Sequence, residues 1–203
     1  MSISSIEIII EEARKGNAFL LVDNEKRENE WDIVFPAEFC TPEKINFMAK
    51  NGRGLICISV TEKRAGELWL VPMCQENKDP FHTAFTISVD AKWTSTWISA
   101  FDRDMTVKAI VANNSEKADL ISPWHMFPLV AKNGGVLERP GHTEASIEIC
   151  RLAGLYPSWV ICEVLNDDGT MARLPDLIVF AQKFWLKIGS IDDLIQYKKN
   201  KNL

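Results

Sequence analysis

Hydrophobic and polar positions change period repeatedly along the 203-residue chain, and each change marks an element. Residues 4 to 15 set Ile6, Ile9, Ile10 and Ala13 on one face at helical spacing, with Ser4 or Ser5 as N-cap and Gly16 as stop, which predicts a first helix. The apolar run Phe19 to Val22 reads as a strand, followed by a ten-residue acidic loop and a second strand over 32–36. Thr41-Pro42-Glu43 opens a helix by cap, proline and first-turn acid, and Asn51-Gly52 closes it. A strand over 54–60 and a short helix opening at Thr61-Glu62 come next. Residues 71–83 hold two prolines and no period, so they predict a mobile loop of the length used for lids. Further on, the pattern predicts a strand over 84–89, a helix from Ser99 to about Asn113, a strand over 126–131, and a helix over 142–153 closed by Gly154. Ser158 to Leu165 is an apolar strand, Asn166 to Gly169 a turn, and Pro175-Asp176 the start of the penultimate helix. A strand over 186–188 and a last helix capped at Ser190 complete the series.

Strands and helices alternate with no repeat or low-complexity linker, which predicts one layered α/β domain over residues 1–203. The hydrophobic share of 46% is that of a globular chain, and a net charge of −5 with scattered basic residues leaves no footprint for nucleic acid. Lys198, Lys199 and Lys201 form a short basic tail that is expected to fray. No basic n-region with an apolar h-region opens the chain, and no run reaches bilayer length. The expected location is therefore the cytoplasm, with no membrane contact. Five cysteines without a Cys-x-x-Cys pair read as reduced, partly buried thiols.

Candidate chemistry gathers in a few places. Asp23 to Asp32 holds five carboxylates and Arg27, and acids so crowded repel one another unless a cation or charged ligand offsets them. The spacing alone fits a solvated acidic turn equally well. Gly134 to Ala145 delivers Arg139, His142 and Thr143 to a predicted helix N-terminus, suited to a phosphate; ordinary capping is the plainer alternative. His125 lies between Pro123 and Pro128, and by itself a lone histidine there is more often structural. Glu163 falls within an apolar strand, where a carboxylate must be paired, protonated or metal-bound. There is no EF-hand loop, zincin helix, Walker loop or dinucleotide fingerprint.

Together, Arg27-Glu-Asn-Glu30 followed by Asp32, Ser99-Ala-Phe-Asp-Arg103, His125-x-Phe-Pro-Leu129, Gly141-His-Thr-Glu-Ala145 and Asn166-Asp-Asp-Gly-Thr-Met-Ala-Arg173 resemble the 3,4-dihydroxy-2-butanone 4-phosphate synthase family over about residues 5 to 198. The resemblance implies a three-layer α/β/α domain with a mixed sheet. It also implies a lyase of riboflavin biosynthesis that turns D-ribulose 5-phosphate into the four-carbon phosphate plus formate. By the same resemblance, Glu28 and His142 hold divalent metal, Mg2+ or Mn2+, with two ions per site. Arg27, Glu28, Asp32, Arg139, Pro140, Gly141, His142, Thr143 and Glu163 surround the substrate. His125 and Glu163 are implied to be essential, and Glu30 and Asp32 are further acid/base candidates. The resemblance further implies a homodimer with sites at the subunit interface, His125 coming from the partner chain. The chain ends near Leu203, so no GTP cyclohydrolase II half is expected. A phosphosugar isomerase would share the enediol step but release no formate.

One departure covers the whole chain. Trp31, Trp69, Trp93, Trp97, Trp124, Trp159 and Trp185 all stand where the family pattern has glycine. Ten glycines in 203 residues is about 5%, below the usual ~7%. Trp185 follows a predicted helix at a C′ position, and Trp31 falls in the tight acidic loop, both places suited to glycine. A gene in which UGA encodes glycine accounts for all seven. Literal tryptophans would instead suggest an impaired or non-catalytic sugar-phosphate or metal-binding relative.

Overall fold

The computed structural model describes residues 3–95 and 98–203. Trp97 lies outside the described residues. In chain order the helices are α1 (Ile6–Arg14), α2 (Pro42–Phe47), α3 (Glu62–Glu67), α4 (Ala100–Val111), α5 (His142–Ala153), α6 (Leu174–Phe184) and α7 (Ile191–Lys201). The strands are β1 (Phe19–Val22), β2 (Trp31–Pro36), β3 (Cys57–Thr61), β4 (Val89–Ala91), β5 (Leu120–Ala131), β6 (Trp159–Glu163) and β7 (Ile188–Ser190). Among the described residues they form one mixed sheet in the order β4-β5-β3-β6-β2-β1-β7. The pairs β1–β7 and β3–β5 are parallel, and the other neighbours are antiparallel.

Strand alternation sends side chains into two cores, one on each face of the sheet, so the three-layer α/β/α expectation holds. Leu20, Ile33 and Phe35 point to the face covered by α2, α3, α4 and α6, where Ile45, Ala65, Val107, Ile110 and Leu177 join them. Phe19, Leu21 and Val34 point to the face covered by α1, α5 and α7, against Ile9, Ile149 and Leu194. Asp32 alternates with Ile33, so it falls on the second face, beneath α5.

The local signals hold where they are chemical. Thr41, Thr61, Ser99 and Ser190 each accept a hydrogen bond from the backbone N–H three residues on. Gly154 ends α5 at φ +75°, with Leu155 N–H donating to the Cys150 carbonyl. The helix opened by Pro42 passes at Met48 into a π-helical turn that ends at Gly52.

Several expectations are corrected. The strand predicted over 84–89 is absent: Phe85 and Thr86 make only isolated bridges, to Leu129 and Pro72. Pro128 and Pro72 have no N–H to complete ladders there, and regular pairing begins only at Val89. β5 begins six residues earlier than predicted, because Leu120 and Ile121 pair with Ala91 and Asp90. The strand expected over 54–60 is Cys57–Thr61, and that expected over 186–188 is Ile188–Ser190. The basic tail does not fray. α7 continues to Lys201, and the buried Lys198 Nζ lies 2.6 Å from Glu148 Oε1 on α5. Cys40, Cys57, Cys150 and Cys162 are buried free thiols, and Cys74 is exposed.

Candidate active site

The acidic loop is built around Asp23, whose side chain is fully buried. Its carboxylate accepts hydrogen bonds from the backbone N–H groups of Glu28 and Glu30 at 3.1 and 3.0 Å and from Arg27 Nη1 at 2.8 Å. Asp23 thus folds the loop back on itself, turning Arg27, Glu28 and Glu30 toward the end of the sheet. The solvated-turn alternative does not describe this loop. Sequence reasoning included Asp23 in the acidic run but gave it no role; its place as the first residue after a strand, able to accept from N–H groups ahead, was the available signal.

On the sheet, Asp32 of β2 stands directly opposite Glu163 of β6. Asp32 is buried, and burial first, then Glu163, Glu30, Glu28 and Asp23, push its carboxyl well above the usual range. Glu163 is pushed up as well, mainly by burial, although its Oε2 accepts from the Leu55 N–H at 2.8 Å. Burial also raises Glu28 and Glu30. Gly54 packs against the Glu163 carboxylate so closely that any Cβ there would collide with it.

His142 begins α5 and is buried. Its Nε2 lies 3.1 Å from the Leu21 carbonyl, which can only accept, so Nε2 carries the proton and Nδ1 presents a lone pair. Nδ1 is 3.7 Å from Asp32 Oδ2. Burial lowers the His142 pKa to about 4, which keeps the ring neutral near pH 7. Ligand atoms of Asp23, Glu28 and His142 lie within 4.8 Å of one another. Two carboxylates and a neutral imidazole suit a divalent cation, and the second bond of His142 to Leu21 fixes its orientation.

Arg139 is held from three sides: Nη1 by Glu144 at 2.6 Å, Nε by the Phe81 carbonyl at 2.8 Å and Nη2 by Thr83 Oγ1 at 2.9 Å. It ties the 71–83 segment to α5. The Arg27 guanidinium lies 5.1 Å from the Phe81 ring centre. A cavity of about 130 Å³ at this point is lined by Arg27, Glu28, Glu30, Asp32, Arg139, His142, Thr143 and Glu163, together with Thr83 and apolar neighbours. A larger cavity of about 980 Å³ lies under the 71–83 segment and shares Arg139 with it. The smaller one gathers Glu28, Glu30, Asp32 and Glu163 around His142. Of the residues expected at the site, Pro140 and Gly141 adjoin this cavity without lining it, and His125 is absent from its lining. His125 lies on β5, with its Nδ1 2.8 Å from Asp90 Oδ2. Thr83 and Phe81 were not foreseen, since an aperiodic loop gives no signal of which side chains it returns to the site.

The model of the 3,4-dihydroxy-2-butanone 4-phosphate synthase family matches residues 7–197. The chain belongs to this family. It is 53% identical over 198 residues to the riboflavin biosynthesis protein RibBA of Aquifex aeolicus, covering 96% of this chain and 49% of that protein. It is 48% identical over 198 residues to the 3,4-dihydroxy-2-butanone 4-phosphate synthase of Wolinella succinogenes, covering 98% and 57%. The chain thus spans about half the length of these curated relatives. Among solved structures, a 3,4-dihydroxy-2-butanone 4-phosphate synthase in complex with two magnesium ions superposes with a TM-score of 0.92 at 37% identity, covering 98% of each chain. RibBX, a two-domain family member from A. baumannii, superposes with a TM-score of 0.93 at 44% identity, covering 96% of this chain and 58% of its own.

By backbone conformation the described tryptophans fall into two groups. Trp69 and Trp185 are left-handed, at φ +56° and +58°, whereas the other four are not. Trp31 does not lie in the tight turn expected: it begins β2, and Asn29 is the left-handed residue of the loop. Trp31 and Trp159 are buried, and the Trp31 indole N–H is buried with no hydrogen-bond partner among the described residues. Trp124 stacks on His125 with ring centres 5.2 Å apart.

Proposed function

We propose that this chain converts D-ribulose 5-phosphate to 3,4-dihydroxy-2-butanone 4-phosphate and formate, supplying the four-carbon unit of riboflavin biosynthesis. The observation that carries the reading is the single cavity in which Glu28, Glu30, Asp32, His142 and Glu163 meet Arg27, Arg139 and Thr143. A ketose phosphate needs a grip for its phosphate, and Arg139 and Thr143 at the start of α5 provide cationic and hydrogen-bonding partners beside a helix N-terminus. Its carbonyl and hydroxyl groups then extend toward the carboxylates.

Glu28 and His142, with Asp23 behind them, would hold Mg2+ or Mn2+, and the relative that binds two magnesium ions favours a two-ion site. Bound there, the metal would act as a Lewis acid on the sugar oxygens. Asp32 and Glu163, both raised in pKa and facing each other, are suited to pass protons during enolisation and dehydration, with Glu30 at the rim. The atoms balance without an oxidant or reductant, since C4 leaves as formate.

The homodimer reading is supported by the separation of His125 from the lining of this cavity. A second copy of the chain would bring His125 to it. No described helix is long and apolar enough to cross a membrane, and the enzyme is proposed to act in the cytoplasm. The retained acids and histidines favour turnover over a non-catalytic relative.

The test is formate release from ribulose 5-phosphate with Mg2+. Stoichiometric formate is expected, and isomer formation without formate would replace the lyase reading. Mixing inactive His125→Asn and Glu28→Gln variants under subunit exchange tests the dimer: recovery of about a quarter of native activity is expected for a two-fold assembly with shared sites. No recovery would place His125 in the same chain's site or outside it.

A further inference from the structure

Asp90 is a buried acid that the reading above leaves without a role. Its side chain is fully inaccessible, on the edge strand β4. The pairing of β4 with β5 shifts register here: Val89 faces Met126 but Asp90 faces Ile121, so β5 residues 122–125 bulge out around the Asp90 carboxylate. Trp124 N–H is held by the Ser88 carbonyl at 3.1 Å and by Ser88 Oγ at 2.9 Å. Asp90 Oδ1 accepts from the His125 backbone N–H at 3.2 Å, while Oδ2 lies 2.8 Å from His125 Nδ1. One carboxylate therefore fixes both the main chain and the ring of the same histidine. The His125 ring is 28% exposed, and its Nε2 has no partner among the described residues.

We propose that Asp90 is a positioning residue for the lyase reaction, holding His125 in its Nδ1–H tautomer so that the Nε2 lone pair is presented outward as a proton acceptor. The inference rests on the proposed lyase activity for its catalytic part. Its chemistry is that of a carboxylate behind a general base: an ionised acid can only accept, so it dictates which ring nitrogen carries the proton and stabilises the imidazolium formed when Nε2 takes one up. The charged groups around the pair are Asp102 and Arg103, both on α4. Asp102 repels the Asp90 charge and Arg103 attracts it. A structural clamp alone would need a hydrogen bond at this point but not a charge.

The experiment compares native protein with Asp90→Asn, Asp90→Glu and His125→Asn. The chain has three histidines, so ring-nitrogen NMR of histidine-labelled protein resolves His125 once His82 and His142 are assigned by substitution. The expected result is an Nδ1–H tautomer in native protein that is lost or mixed in Asp90→Asn at unchanged fold. Formate turnover should fall roughly 100-fold or more in Asp90→Asn with KM little altered, and Asp90→Glu should recover part of it. An unchanged tautomer in Asp90→Asn overturns the inference, and so does native turnover in Asp90→Asn where His125→Asn is inactive. If native protein itself releases no formate, the lyase reading fails, and the tautomer measurement still decides what Asp90 does to His125.

Discussion

Asp32 and Glu163 are cross-strand neighbours, paired directly on antiparallel β2 and β6 and bearing like charge. Such a pair destabilises a sheet unless a cation offsets it. The pKa of Asp32 is raised in the fold, so its contribution to stability is complete below the unfolded value near 3.9 and is lost as pH rises through the folded value. Asp32→Asn should therefore stabilise metal-free protein by about 1–2 kcal/mol at pH 8, with little change at pH 4, while abolishing formate release. Thermal unfolding in EDTA at both pH values checks this; equal stability of the two proteins at pH 8 would mean the cavity already neutralises the pair without metal.

Glu28→Gln removes one of the carboxylates proposed to hold the metal beside His142. Turnover should be lost, and the rise in melting temperature that Mg2+ gives native protein should disappear with it. Near-normal activity would exclude Glu28 from the metal site.

Lys198 and Glu148 join α7 to α5 inside the fold, each side chain no more than 11% exposed. Removing one member of a buried pair leaves the other charge uncompensated, at a cost of about 3–5 kcal/mol. Lys198→Met should lower the denaturant midpoint accordingly, and a loss under about 1 kcal/mol would show that Glu148 regains solvent or a proton instead.

Trp185 is 86% exposed at φ +58°. Trp185→Gly should stabilise the protein by about 1 kcal/mol, since a non-glycine residue in this region costs roughly 1–2 kcal/mol, part of which glycine returns as chain entropy. The same substitution at Trp159, buried edge-on against Phe19 with ring centres 4.9 Å apart, has no such backbone benefit. Peptide mass spectrometry of protein from its native source is expected to find glycine at 31, 69, 93, 97, 124, 159 and 185. Tryptophan at 31 and 124 would end the recoding hypothesis.

What the sequence disclosed was largely local. The caps at Thr41, Ser99 and Ser190 and the stop at Gly154 depend on neighbours three to five positions away, and each is where the pattern placed it. The acids, the one histidine and the two arginines of the cavity were legible as residue types and through family resemblance. Their arrangement was not, because the facing of Asp32 and Glu163 depends on strand register. The bond between Asp90 and His125 spans 35 positions and a bulge, and that between Lys198 and Glu148 spans 50. No periodicity encodes such partners, so the basic tail looked free and Asp90 looked ordinary.

Five helices, α1, α3, α5, α6 and α7, end in the same way. The residue after the last turn is left-handed, and the next N–H reaches back five residues: Asn17 to Glu12, Leu70 to Ala65, Leu155 to Cys150, Leu186 to Ala181 and Leu203 to Lys198. Gly16 and Gly154 occupy two of these ends and Asn202 a third, with Trp69 and Trp185 at the other two. Glycine and asparagine are the residues this geometry takes without strain, and a bulky indole is not. The ends at 69 and 185 can therefore serve as an internal standard for translation: their backbone favours a residue other than the tryptophan that stands there.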